Sequence, residues 1–387
     1  NQILRQEMGF DGVAVADYSA VSNVHHTQKL YETEAEAGLA CLSAGMDVEL
    51  PDTVCFNEEM KAMFAQGKAD MALLDQAVRR VLRAKFRMGL FEHPFALTGS
   101  ALSEMVHHPE DELITLQSAL ESLVLLKNDN HVLPIGKNVR KIALIGPHAD
   151  NARHFFGGYT HLSMVEAIHA VMNSLAWVDA SNTERKPMLT VPGTQVQSDE
   201  TEEFAQIRRQ IKPDCPSLLA KLTSSLPDAE ITYAYGYPIA GADESHFAEA
   251  LQAAAGADLL ILTLGGKHGS GSVATMGEGV DATDINLPRC QDAFIRAAAN
   301  LHKPMIGIHF GGRPISSDAA DECLDAILEA WNPSEMGAEA LTRVLTGETA
   351  PSGRMPVTTA RSAGQSPVYY NHPNGSSWHQ GGSIGFQ

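Results

Sequence analysis

This sequence predicts an α/β protein of two domains, on three observations. Its 387 residues exceed what one ordinary core holds. Short uninterrupted apolar runs such as "KIALI" and "LLILTLGG" recur along it, and runs of this kind read as strands covered on both faces. Each is followed by a loop and an amphipathic helix, the alternation that builds a parallel sheet or barrel.

Taken in order, "NQILRQEMGF" is helical by the spacing of Ile3, Leu4 and Met8, with Gly9 as its stop. "GVAVAD" follows the Asp11-Gly12 turn signal as a strand ending on Asp17. "TEAEAGLACLSAG" is a helix closed by Gly45, "MDVEL" a short strand closed by Pro51. "FNEEMKAMFAQG" and "MALLDQAVRRVLRAKFRMGLF" are helices, the second strongly amphipathic. Residues 1–91 thus hold about two βα units. Residues 92–117, with "HHPEDE", lose the periodicity and read as a linker; a metal role for those acids and histidines is weaker than a solvated loop. From 118 to 387 comes an α/β sandwich with a largely parallel sheet. Its strands are expected in "LVLLKN", "KIALIG", "LLILTLGG", "MIGIHFGG" and "AILEAW", with helices such as "CQDAFIRAAANL" and "GAEALTRVLTG" on both faces. The polar helical stretch 195–228 is expected at the surface.

The bulk properties narrow the function classes. Formal net charge is −19, a surface that repels phosphate backbones and anionic lipid, so neither nucleic acid nor membrane is an expected partner. No run approaches the 18 or so apolar residues of a spanning helix. Five cysteines (Cys41, Cys55, Cys215, Cys290, Cys323) show no CxxC spacing, which argues against a zinc site or disulfide framework and favours a reducing, cytoplasmic location. No metal or organic cofactor is expected. The opening "NQILRQEMGF" reads as the middle of a helix, so the chain looks cut from something longer.

Two carboxylates stand out. A strand-final Asp17 serves either as a turn cap or, if the strand is parallel, as a reacting group at the C-terminal edge. Glu278 sits between Gly277 and Gly279 in "GGKHGSGSVATMGEGVDATDINLP", residues 265–288; glycines on both sides let the backbone bring it close to a ligand, the plain alternative being a solvated loop residue. The phosphate-loop pattern GxxxxGK[ST] is absent, as are GxSxG and HExxH. Two carboxylates on loops of different domains suggest retaining glycoside hydrolysis, which wants them about 5 to 5.5 Å apart.

The chain resembles glycoside hydrolase family 3, the β-glucosidase and β-xylosidase family. "LRQEMGFDGVAVADYSAV", "AGMDVELP", "RRVLRAKFRMGLF", "ESLVLLKNDNHVLPI", "KIALIGPHAD", "GEGVDATDINLPRCQ", "WNPSEMGAEALTRVLTGETAPSGRMPVT" and "PVYYNHPNGSS" carry the resemblance in order along nearly the whole chain. It implies that residues 1–91 are the last part of a (β/α)8-type barrel and that 118–387 carry the acid/base loop. It further implies Asp17 as nucleophile, Glu278 as acid/base, and Tyr18 beside the sugar where the family usually has tryptophan. The activity implied is that of an exo-acting retaining β-glucosidase, with β-xylosidase or α-L-arabinofuranosidase as close rivals. A non-catalytic carbohydrate-binding fragment is the alternative of another class. The expected partners are a β-glycoside or oligosaccharide and the upstream barrel segment, with a homo-oligomer left open.

Overall fold

A computed structural model describes residues 1–106, 108–178, 188–198, 201–280 and 282–369. The chain divides into two compact units, Asn1–Val106 and His107–Gln387. The quoted motif "PVYYNHPNGSS" from residue 370 onward, and Asp281 within "GEGVDATDINLPRCQ", lie outside the described residues.

The first unit opens on one wide helical turn, Gln2–Glu7, that ends before Gly9. Helices α1 (Ala20–His26), α2 (Glu34–Ala44), α3 (Glu58–Ala65), α4 (Met71–Arg87) and α5 (Gly99–Val106) follow. Local chemistry explains the starts. Thr33 and Glu36 cap α2 reciprocally, and Asn57 and Asp70 accept from the first turns of α3 and α4, satisfying donors that a helix start otherwise leaves open. Gly45 closes α2 at φ 109°. The two expected strands shrink to one parallel bridge, Val15 to Val48. Val15 is 52% exposed, so the run beginning at Gly12 is not covered on both faces as its composition suggested. Two small clusters hold this unit, one around Leu42, Met60 and Phe64 and one around Ala16, Val21 and Cys55.

The second unit begins with α6 (Pro109–Ser122) and β1 (Val124–Asn128). The expected lack of periodicity in 92–117 is corrected, because that span contains α5 and most of α6, and the boundary between the two units falls between those helices. His108 is the N-cap of α6, and Glu110, Asp111 and Glu112 fill its first turn, where negative charge favours the helix start. The acids of "HHPEDE" therefore begin a helix. Then come β2 (Lys141–Ile145), α7 (Pro147–Asp150), α8 (His161–Val178), α9 (Glu202–Ile211), α10 (Leu218–Ser225) and β3 (Glu230–Ala234). They are followed by α11 (Phe247–Ala255), β4 (Leu259–Gly265), α12 (Arg289–Ala299), β5 (Met305–Phe310), α13 (Asp318–Cys323), β6 (Ala326–Trp331) and α14 (Gly337–Leu345).

The strands form one sheet in the order β1-β6-β5-β4-β2-β3, parallel except for β1. Period-two alternation between two covered faces explains why β2, β4, β5 and β6 are largely apolar. Ile142 and Leu144 of β2, with Leu259 and Ile261 of β4, enter the core under α6, α9, α10 and α14. Their neighbours Ala143, Ile145, Leu260 and Leu262 enter the other core, under α11, α12 and α13. The stretch 195–228 holds α9 and α10, and the expected surface placement holds for one face of each. Arg209, Gln210, Thr223 and Ser224 are exposed, whereas Phe204, Ile207, Leu218 and Leu222 are buried in the larger core.

Candidate active site

In the first unit Asp17 ends the bridged segment and is exposed, as is Tyr18. The backbone there is tightly held. Ala16 N–H donates to Val48 O at 2.9 Å and Ser19 N–H to Leu50 O at 2.9 Å. Asp17 Oδ1 accepts from its neighbour's amide, Tyr18 N–H, at 2.7 Å, and Asp17 O accepts from Ala20 N–H, so α1 starts directly behind the carboxylate. Asp17 therefore stands at a turn that directly follows a parallel bridge.

What holds this strand end is Asp47, a residue the sequence did not single out. Its buried carboxylate accepts from Arg5 Nη2 at 2.7 Å, Arg80 Nη1 at 2.8 Å and the Ala14 amide at 2.9 Å. It ties the opening helical turn, the Asp17 segment and α4 to one point. Glu49 likewise accepts from the Cys55 and Phe56 amides. Acids at alternate positions of "MDVEL" were a usable signal, since a carboxylate in a short apolar strand needs a partner to be buried.

In the second unit the relevant place is the C-terminal edge of the parallel strands between β2 and β4. The connection leaving β2 runs through helices over one face, whereas β4 is followed by α12 on the other. Such a reversal opens a crevice outside the strand ends. Residues 146–160, after β2, and the loop 265–288, after β4, both rise there. A cavity of about 610 Å³ lies beside the loop, lined among others by Gly266, Thr275, Met276, Arg289 and Arg313.

The loop is built as a braced excursion. Gln291 of α12 bonds both the amide and the carbonyl of Gly265, at 2.8 and 2.9 Å. Lys267 and Thr275 close its base, with Thr275 N–H donating to Lys267 O at 2.9 Å and Lys267 N–H to Thr275 Oγ1 at 3.0 Å. Higher up, Gly269 N–H reaches Met276 O at 3.0 Å. Gly277 then turns at φ 132°, where a Cβ would lie 2.0 Å from Gly269 O, so only glycine fits. Glu278 occupies the tip of the turn from Gly277 to Val280 and is exposed.

The Glu278 carboxylate is bonded through Oε2 to the hydroxyl of Tyr159, which rises from the β2 side. Below it, Arg153, Glu166 and Lys267 form a fully buried charged cluster. Arg153 Nε meets Glu166 Oε1 at 2.7 Å, and Lys267 Nζ lies 3.7 Å from Glu166 Oε2. The Lys267 ammonium also donates to Phe156 O and Ser163 Oγ at 2.7 Å and to His268 O at 3.0 Å. Burial pushes Lys267 down to about 8, against the pull of Glu166. Burial first, and the Lys267 charge second, hold His268 below the usual histidine value. That agrees with its geometry, because His268 Nδ1 accepts from Gly158 N–H at 2.8 Å and must be unprotonated there. Sequence reasoning left Tyr159 and Lys267 out. "FFGGYT" and the lysine after "GG" mark only a turn and a loop until the strands are ordered.

Asp17 and Tyr18 thus belong to the first unit and Glu278 to the second. Among the described residues no group of three or more His, Cys, Asp and Glu is arranged to hold a metal ion, all five cysteines are free, and no helix is long and apolar enough to cross a membrane.

Comparison with known proteins places both units. The profile of the glycosyl hydrolase family 3 C-terminal domain matches residues 123–385, and that of the N-terminal domain of the same family matches residues 1–84. The chain belongs to glycosyl hydrolase family 3. It is 30% identical over 377 residues to a periplasmic β-glucosidase of Salmonella typhimurium, covering 96% of this chain and 45% of that protein. It is 28% identical over 380 residues to a β-xylosidase of Formosa agariphila, covering 95% and 45%. Among solved structures, the β-glucosidase of Listeria innocua in complex with glucose superposes with a TM-score of 0.72 at 25% identity, covering 97% of this chain and 44% of that one. A β-glucosidase from Erythrobacter marinus gives 0.71 at 28% identity, covering 96% and 46%. The chain therefore spans a little under half the length of these relatives.

Proposed function

We propose that the complete protein is an exo-acting retaining β-glycosidase that removes terminal β-D-glucosyl residues through a covalent glycosyl-enzyme. The observation that carries this reading is the pair of carboxylates in a family 3 chain, Asp17 at a parallel strand end and Glu278 at the tip of a glycine-flanked, braced loop. Asp17 attacks the anomeric carbon. Glu278 gives its proton to the departing glycosidic oxygen, then takes one from the water that releases the sugar. Tyr18, large and exposed beside Asp17, offers a ring to the sugar. Residues 1–91 act as the last part of a (β/α)8-like barrel and need its upstream segment to enclose the substrate. A retaining mechanism wants the two carboxyl groups about 5 to 5.5 Å apart when substrate is bound.

The β-glucosidase names among the relatives support the choice of sugar, and the β-xylosidase names support the second reading, a β-xylosidase or α-L-arabinofuranosidase. Free thiols support a cytoplasmic location, although one relative is named periplasmic; fractionation of cells making the full-length protein separates the two. The function itself is tested with a panel of nitrophenyl glycosides on that protein. The β-glucoside should be the best substrate, and NMR of the first product formed should show the β-anomer. Faster turnover of the β-xyloside or the α-arabinofuranoside selects the second reading. Initial release of the α-anomer overturns the retaining mechanism, and no hydrolysis leaves a carbohydrate-binding protein.

A further inference from the structure

Glu278 sits on a long loop and is exposed, yet an acid that must meet one oxygen atom cannot wander. Tyr159 bonds its carboxylate. The phenol lies 119 positions away in sequence and reaches Glu278 Oε2 from a turn in the connection that follows β2. Tyr159 itself adopts φ 65°, a left-handed conformation that costs a residue with a large side chain free energy unless its surroundings impose it.

Those surroundings are on hand. Residues 156–160 are fastened to the base of the Glu278 loop at two points, Phe156 and Gly158, and each fastening uses Lys267 or His268. The Lys267 ammonium takes Phe156 O and, through Ser163 Oγ, a hydroxyl that itself donates to Phe156 O at 3.0 Å. His268 Nδ1 takes the amide of Gly158, the residue next to Tyr159. Thr160 Oγ1 closes the turn on Gly157 O at 2.7 Å. The ammonium is almost completely buried, with Glu166 and Arg153 completing its charge balance. A buried charge with all its acceptors supplied fixes geometry firmly, since any displacement strands it without partners.

We infer that Tyr159 is a positioning residue for Glu278, presented in register by the buried Lys267 cluster. This rests on the reading of Glu278 as acid/base. Donation to Oε2 leaves Oε1 to work on the substrate. In the first step the Glu278 proton passes to the glycosidic oxygen as its bond to the anomeric carbon breaks. In the second, the same carboxylate takes a proton from water as oxygen bonds to that carbon. Tyr159 keeps its own proton throughout and holds the carboxylate in one rotamer for both steps.

The test compares Tyr159→Phe, Glu278→Ala and the double variant in the full-length enzyme. The substrates are a disaccharide that the enzyme hydrolyses and the matching 2,4-dinitrophenyl glycoside. Tyr159→Phe removes one hydroxyl from an exposed side chain, so its melting temperature should match the parent. It should lower kcat on the disaccharide about tenfold with KM little changed, as loss of a hydrogen bond to a charged group does. The glycosylation step on the dinitrophenyl substrate, which needs no proton donor, should change less than about twofold. In the Glu278→Ala background the Tyr159→Phe change should have no further effect, because the two act through one interaction. Equal losses on both substrates, or a tenfold loss that persists without Glu278, overturn the role of Tyr159. If instead Glu278→Ala itself loses both substrates equally and azide restores nothing, the acid/base reading of Glu278 has failed.

Discussion

The two units solve burial differently. Among the described residues of His107–Gln387 six strands share one sheet, and both its faces are covered by helices, so Leu144, Ile145, Leu260, Ile261 and Leu262 are all fully buried. In Asn1–Val106 a single bridge joins two segments, and Ile3, Met8, Val15 and Tyr18 stand more than half exposed. The smaller unit relies on polar pins instead. Asp47 gathers Arg5, Arg80 and the Ala14 amide, and Glu49 gathers the amides after it. Both candidate carboxylates nonetheless rest on buried charge. Asp17 follows the bridged Val15 segment that Asp47 pins through the Ala14 amide, and Glu278 stands on a loop that the Lys267 ammonium braces.

That contrast can be broken, most severely by separating the units. A fragment of residues 107–387 should melt in one cooperative transition, and residues 1–106 alone should bind a hydrophobic dye and melt without a sharp midpoint. Calorimetry of both decides it, and a sharp transition from 1–106 ends the comparison.

Next in size is Asp17→Asn in the full-length enzyme, which should cost about 10⁴-fold in kcat on every glycoside, because loss of the attacking group is felt whatever leaves. A surviving dependence on the leaving group, measured across aryl glycosides, would move the nucleophile elsewhere. Glu278→Ala should cost about 10² to 10³-fold on a disaccharide but far less in the first step on a dinitrophenyl glycoside. Azide, which attacks without a general base, should then speed turnover and yield the β-glycosyl azide.

Lys267→Met sharpens the contrast within the larger unit. Three acceptors lose their donor, a cost of about 3 kcal/mol at neutral pH, read from urea denaturation of the 107–387 fragment. The parent fragment carries a pH signature as well. Lys267 is lowered from 10.5 to about 8, so between those values the unfolded chain holds a proton that the folded one has released. The contribution of this group to stability therefore rises with pH across that window, and the rise should vanish in Lys267→Met. The smallest effect belongs to the first unit. Thr33→Ala removes the reciprocal cap of α2 and should cost about 1 kcal/mol of helix stability, seen as faster amide exchange at Ala35 and Glu36.

The strands β1, β2, β4, β5 and β6 were readable because four of them are covered on both faces and so carry unbroken apolar runs. β3 was not. It is an edge strand, "EITYA", whose alternating pattern leaves Glu230 and Thr232 exposed. The "GVAVAD" run misled in the opposite sense, since an apolar run declares that its residues can be buried, not that a neighbour is there. Both candidate carboxylates could be picked from flanking residues, a strand end for Asp17 and paired glycines for Glu278.

By itself, then, the sequence determined the strands β2, β4, β5 and β6 and most of the helices of this protein, and which two acids stand at turns. Periodicity and capping act within a few residues, and local chemistry suffices to specify them. Only the tertiary structure decided that β2 lies beside β4, that Tyr159 reaches Glu278, that Lys267 is buried against Glu166, and that Asp47 anchors the Asp17 strand. Each of those contacts joins residues more than thirty positions apart, and is selected by the packing of whole elements rather than by any pattern along the chain.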